Sequence, residues 1–210
     1  MGSPDDSLRQ RLYDLPLIRT ALTEQQQLPA TLHYHVPAHI VDVLDEVLLF
    51  GGTDGLTARD LELLALGAAF HDYGFLHRLK DNEVVGAAAA VAAMRGAGGY
   101  SADEISGVET MILDTKVHLS PAGPRQIPTT SLSGYLCDAD VSNLGRDDFL
   151  EKAELVRREV GAEKDRTFFE NLRTFLRAHR WHTPAGRALR QAGKDRNLAR
   201  LDKMLASSHW

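Results

Sequence analysis

The 210-residue chain has a single cysteine, Cys137. No intrachain disulfide can form, and the cysteine pairs of a structural zinc site are missing. Long apolar runs are missing too. Nothing approaches the roughly 20 residues a membrane helix needs, and Met1 to Ser7 (MGSPDDS) lacks a signal-peptide apolar region and reads as a disordered lead-in. Alternation of β-branched residues long enough for a strand is absent, as is any internal repeat. These absences exclude a disulfide scaffold, a helical membrane protein and a sheet-based fold. They point to a reducing, cytoplasmic setting.

Charge is present but unevenly placed. The net charge is −5, yet residues 1–150 hold 10 Lys/Arg against 21 Asp/Glu, while residues 151–210 hold 14 against 8. A chain acidic overall is not expected to bind duplex nucleic acid. Clustered acids suit a cation. The basic tail either attracts phosphate-bearing ligands or forms a solvated face packed beside an acidic body.

Helical periodicity fills most of the chain. Leu8, Leu12, Leu15, Ile18 and Leu22 predict a helix from Ser7 to Gln27, and a helix entered at Pro37 runs to a stop at Gly51-Gly52. Thr57 caps a third that ends at His71-Asp72, with Gly74 as breaker. Asn82 opens GAAAAVAAM, whose small side chains suit close approach to a neighbour. Ser101 and Glu104 form a capping box for a helix ending near Thr115. Pro121, Pro124 and Pro128 make residues 119–131 a loop, read either as a lid or as a connector. Helices are then expected through Asp138 to Leu144, stopped by Gly145, and over Arg146 to Val160, Asp165 to Arg180, and Pro184 to Leu205 with Thr183 as cap. The expected fold is all-α, one compact multi-helix domain. Residues 1–27 form a helical segment packed on a core at 28–145, and residues 146–210 add C-terminal helices.

Histidines and carboxylates from three distant segments carry the chemistry: His35 and His39 in YHVPAH, His71-Asp72 in AAFHDYGF, and Asp138 to Asp140. Mixed imidazole and carboxylate donors suit Mn, Fe, Co, Ni or Zn, with Mg also open. His71 and Asp72 diverge by about 100° on an ideal helix, so they can share an ion only where the helix is ending. A His2Asp2 set drawn from these segments leaves coordination positions for water and a substrate oxygen.

These segments resemble the HD-domain superfamily of metal-dependent phosphohydrolases. YHVPAH is similar to an opening shared with cyclic-nucleotide phosphodiesterases, AAFHDYGF to the central His-Asp segment, and DADVSNLG to the closing aspartate segment. Motif similarity covers roughly residues 31–145. DNE at Asp81 to Glu83, DTKVH ending at His118, and the C-terminal stretch resemble one bacterial branch. The resemblance implies an HD-domain bundle with a C-terminal helical extension, whose divalent metal is held by His39, His71, Asp72 and Asp140. Asp140 is preferred to Asp138 on motif match. His35 and Asp72 are its catalytic candidates, with His35 in the general-acid position. Phe75 stands where relatives often carry a lysine, whose role is then either absent or supplied by Lys80 or Lys116, and Val36 replaces the phosphodiesterase asparagine.

The implied activity is metal-assisted hydrolysis of a small phosphorylated molecule, a nucleotide by preference. A cyclic-nucleotide phosphodiesterase and a non-catalytic nucleotide sensor are the alternatives, and a homo-oligomer is left open. Glu83 is read either as orienting water or substrate or as a carboxylate favoured at a helix N-terminus. His118 either touches substrate or closes a helix. Asp138 either bonds a ligating histidine or faces solvent. Lys116 and Arg125 are candidate phosphate contacts beside a plain surface role, and Trp181 and Trp210 are read as packing residues.

Overall fold

The computed structural model describes residues 6–120 and 123–207; the lead-in at 1–5, Pro121 and Trp210 lie outside them. The described residues form ten α-helices and no strand, the all-α architecture expected. The helices are α1 (Asp6–Tyr13), α2 (Pro16–Glu24), α3 (Pro37–Thr53), α4 (Ala58–Phe70), α5 (Asn82–Ala97), α6 (Ala102–Leu113), α7 (Ser131–Asp140), α8 (Phe149–Glu159), α9 (Arg166–Ala178) and α10 (Pro184–Ala206).

The central element is α4. From Leu63 to Phe70 every residue is buried, and α2, α3, α5, α6 and α7 all pack around it. A helix apolar on every face must be enclosed in this way. Thr57 and Asp60 form its capping box, and Ser101 and Glu104 form that of α6. Small residues set the closest approaches, as GAAAAVAAM implied. A Cβ added at Gly86 of α5 would sit 2.3 Å from the Phe70 carbonyl oxygen.

Four boundaries depart from the periodicity reading. The first helix is two, because Pro16 takes the opening position of α2 and breaks the run. Gly51-Gly52 does not stop α3; Gly51 lies inside it, where an added Cβ would meet Leu61 Cδ2 at 2.6 Å. The chain turns at Gly55 instead, with φ 74°. Helix α7 ends at Asp140, and a 3₁₀ turn over Ser142–Gly145 follows. Helix α8 begins at Phe149 rather than Arg146, whose guanidinium bonds Asp148 and Asp42.

Two apolar clusters result. The larger joins α1 to α7 and reaches Ala185; the smaller gathers Leu144, Phe149, Phe169, Leu176, Trp181, Leu201 and Leu205. Basic residues of the C-terminal part pair with the acidic body: Arg190 forks onto Glu46 at 2.6 and 2.8 Å, and Lys152 meets Asp42 at 2.8 Å. The packed-face reading of that charge therefore holds for these residues. Helix α10 approaches the 3₁₀ turn backbone to backbone, since a Cβ at Gly193 would lie 1.8 Å from the Gly145 carbonyl oxygen.

Replacing Gly193 with alanine must push these two backbones apart. Overpacking typically costs about 1–3 kcal/mol, and Gly193→Ala is expected to lower the denaturation midpoint accordingly. A midpoint equal to wild type would contradict the close contact.

Candidate metal centre

Three chain segments deliver donor atoms to one point. Helix α4 ends at Phe70, His71 occupies the C-cap, and Asp72 follows at φ −103°, ψ 5°. The helix is therefore finishing where the pair sits, and the two side chains converge. Gly74 is needed close by, because a Cβ there would lie 2.0 Å from the Asn82 carbonyl oxygen. His39 lies in the first turn of α3, and Asp140 is the last residue of α7.

His39 Nε2 lies 3.2 Å from Asp140 Oδ1 and 3.5 Å from Asp72 Oδ2. His71 Nε2 lies 3.2 Å from Asp72 Oδ2 and 3.6 Å from Asp140 Oδ1. Donors about 2.1 Å from a shared ion stand about 3.0–3.4 Å apart at octahedral or tetrahedral angles; the two 3.2 Å separations fall in that range, and those of 3.5 and 3.6 Å lie just beyond it. The donor atoms of His39, His71 and Asp140 all fall within 4.8 Å of one another. This group could hold a metal ion, with Asp72 Oδ2 close to both imidazoles.

Unmet polarity supports that fit. His71 Nδ1 donates to the Ala68 carbonyl at 2.8 Å, which fixes the tautomer and turns the Nε2 lone pair toward the centre. His71 Nε2 and Asp72 Oδ2 are buried without a hydrogen-bond partner among the described residues. Buried polar atoms are rarely left so. The ion pairs of Asp72 and Asp140 are all with histidine, none with lysine or arginine among the described residues. Burial works against a charged His71, yet Asp72 and Asp140 outweigh it and raise its pKa to about 9.

His35 stands in the turn before α3. Its Nδ1 pairs with Glu159 Oε1 of α8. The other oxygen of Glu159 accepts from the backbone amides of His33, Tyr34 and His35 at 2.8, 2.8 and 3.1 Å. Burial pushes the His35 imidazole down, but Asp72 and Glu159 outweigh it and hold its pKa above the ordinary histidine value. The Phe75 ring lies against His35, centroids 4.6 Å apart. The residue at the lysine position is therefore part of the wall beside His35.

A cavity of about 390 Å³ opens over the centre, lined among others by His35, Asp72, Asp140, Glu83, Lys80 and Lys116. Glu83 Oε2 is buried and unpartnered there. Lys116 reaches the same cavity but is held by Asp81 at 2.6 Å. Asp81 adopts φ 53°, a left-handed conformation that aspartate tolerates better than most residues.

Two expectations are corrected. Asp138 bonds no ligating histidine and does not face solvent. It is fully buried and accepts from the His182 and Thr183 amides at 2.9 Å each and from Thr183 Oγ1 at 2.7 Å, anchoring the start of α10. His118 closes no helix, since α6 ends at Leu113; it is exposed, absent from the cavity wall, and pairs backbone to backbone with Arg125. Arg125 is likewise off that wall.

Gln126 and Glu159 carry no sequence signal, and Tyr34 carries only its place at the head of YHVPAH. Gln126, from the proline-rich loop, donates to Asp140 Oδ2 at 2.6 Å and to the Thr115 carbonyl at 2.7 Å. Glu159 lies 124 residues from His35 and read as one more surface acid. Tyr34 packs on His39 at 4.5 Å. Only a fold that joins distant segments shows them. No protein-family model matches the chain, and no curated protein matches it.

His71→Ala is expected to abolish binding of Mn²⁺ measured by calorimetry and elemental analysis. Asp138→Ala is expected to keep it while costing about 1–3 kcal/mol of stability, the usual penalty for stranding buried donors. Retention of metal by the first variant or its loss in a folded second variant would reverse these assignments.

Proposed function

We propose that the protein is an HD-type, metal-dependent phosphohydrolase acting on a small phosphorylated molecule. The observation that carries this reading is the pair of buried donor atoms without a hydrogen-bond partner among the described residues, His71 Nε2 and Asp72 Oδ2, facing His39 and Asp140 beside an open, charged cavity whose wall includes Asp72 and Asp140. A divalent ion bound there would neutralise phosphoryl oxygens and acidify a water molecule. His39, His71, Asp72 and Asp140 would hold it, and Gln126 would fix the carboxylate of Asp140 by hydrogen bonding.

The remaining work falls to side chains around the cavity. Lys80 and Lys116 place positive charge on the wall where phosphate oxygens would lie. Glu83 presents a carboxylate that can orient a water or a ribose-type hydroxyl. His35 sits at the cavity wall with its proton-bearing ring held by Glu159, positioned to protonate a leaving oxygen. Glu159 acts through His35 and through the three backbone amides that shape the turn. Phe75 covers one face of the His35 ring and limits its access to water.

The test is phosphate release from a panel of phosphorylated compounds with Mn²⁺. Wild type is expected to turn over at least one of them. Loss of general-acid catalysis typically costs about 10²–10⁴-fold, and His35→Asn should lower kcat by that order while retaining metal. Glu159→Gln should lower kcat less and shift the alkaline limb of the pH profile to lower pH, since the imidazole loses the carboxylate that favours its protonated form. Binding of nucleotides without any turnover would favour a sensor instead.

A further inference from the structure

The charged cavity is one of two chambers that meet at the centre. A second, of about 280 Å³, lies between the 3₁₀ turn after α7 and helices α8 and α9. Its wall is built of Leu144, Phe149, Val156, Phe168, Leu172 and Phe175, and no lysine or arginine lines it. His35, Val117 and Asp140 line both chambers. The proposed acid and a candidate ligand thus stand on the seam, with charge on one side and hydrocarbon on the other. Polar groups of the second chamber besides those on the seam are few: Tyr34, whose hydroxyl points to Asn143 Oδ1 at 3.4 Å, Asn143 itself, and Asn171 on an exposed position of α9.

This asymmetry decides how an ester would lie. A phosphoryl dianion in a chamber of aromatic and aliphatic side chains would lose its hydration with nothing to replace it. The other cavity offers Lys80, Lys116 and, in the phosphohydrolase reading, the divalent ion that would offset Asp72 and Asp140, so a dianion there would meet positive charge. The group on the other side of the scissile bond then enters the apolar chamber, with its oxygen at His35. We infer that this chamber is a leaving-group site, and that the substrate is a phosphate monoester of an uncharged alcohol carrying an aromatic ring. The inference rests on the phosphohydrolase reading of the neighbouring centre. In the reaction, a water oxygen forms the new bond to phosphorus and the bond from phosphorus to the alcohol oxygen breaks. The electron pair stays on that oxygen, which takes a proton from His35. The proton lost by water passes to solvent and restores His35, giving inorganic phosphate and the free alcohol. A nucleoside triphosphate fits poorly, because its leaving group is itself an anion.

Aryl esters and nucleoside monophosphates share this chemistry, and the experiment separates them. With Mn²⁺ and the full chain, kcat/KM is measured for 4-nitrophenyl phosphate, adenosine 5′-monophosphate, glycerol phosphate and adenosine triphosphate. At least one aromatic monoester is expected to exceed both glycerol phosphate and the triphosphate by tenfold or more. Binding of 4-nitrophenol and adenosine to metal-free protein is followed by calorimetry, which reads the chamber independently of turnover. Ala153→Phe fills the chamber from α8 and Asn171→Trp plugs its exposed rim, so one serves if the other fails to fold. Either should remove the aromatic preference, bind Mn²⁺ as wild type does, and weaken binding of the matching alcohol at least fivefold. Hydrolysis without aromatic preference, faster triphosphate cleavage, or unchanged alcohol binding in the folded variants would overturn the leaving-group site. Alcohol binding lost in the variants, with no ester hydrolysed by wild type, overturns the phosphohydrolase reading and with it the ester, while the chamber remains an aromatic-binding site.

Discussion

Negative potential focused on one buried point is the constraint around which the fold is arranged. Helices α4 and α7 both finish there, and each brings the partial negative charge of its C-terminus. Asp72 and Asp140 add two carboxylates, with no lysine or arginine paired to either among the described residues. In a medium of low effective dielectric such an arrangement is costly unless positive charge enters. The imidazoles of His39 and His71 face the same point, so this group could hold a metal ion. The apolar envelope of α4 makes this feasible, because a rigid, fully enclosed helix fixes where its last residues project.

The C-terminal helices contribute more than bulk. Asp138 and Asp140 lie two residues apart on α7, about 200° around the helix, so they face opposite ways. One anchors α10 through Thr183, and the other faces the centre. The Gly145–Gly193 contact seats α10 against the turn that leaves Asp140. Glu159 reaches from α8 to the turn that carries His35. The apolar wall of the second chamber comes from the same helices, so they shape the space a ligand would enter as well as the residues that would touch it.

Much of this was legible before any coordinates. Caps at Thr57, Ser101 and Thr183 marked helix starts because a hydroxyl that accepts an amide hydrogen bond is a local device, readable from its neighbours. The ending of α4 at His71-Asp72 followed from the angle between consecutive residues. The misreadings have local causes too. Pro16 was passed over because the leucine spacing continues across it, and Gly51-Gly52 resembled a stop although Gly51 serves contact with Leu61. Glu159 and Gln126 were invisible for another reason. Their partners lie 124 and 14 residues away, and a carboxylate or amide among many shows nothing of its partner until the chain has folded. The anchoring role of Asp138, outside both alternatives its sequence context offered, is hidden for the same reason, since its partners lie 44 and 45 residues onward.

The tie between His35 and Glu159 has a consequence for biogenesis. Domains form from the N-terminus as the chain leaves the ribosome, at about 5–20 residues per second. The turn bearing His35 emerges early, yet the carboxylate that holds its three amides appears only after another 124 residues. For several seconds of translation the half-made chain carries that turn without its anchor. A nascent chain can therefore enclose its leucine-rich centre while the turn that bears His35 still waits for the carboxylate that holds it.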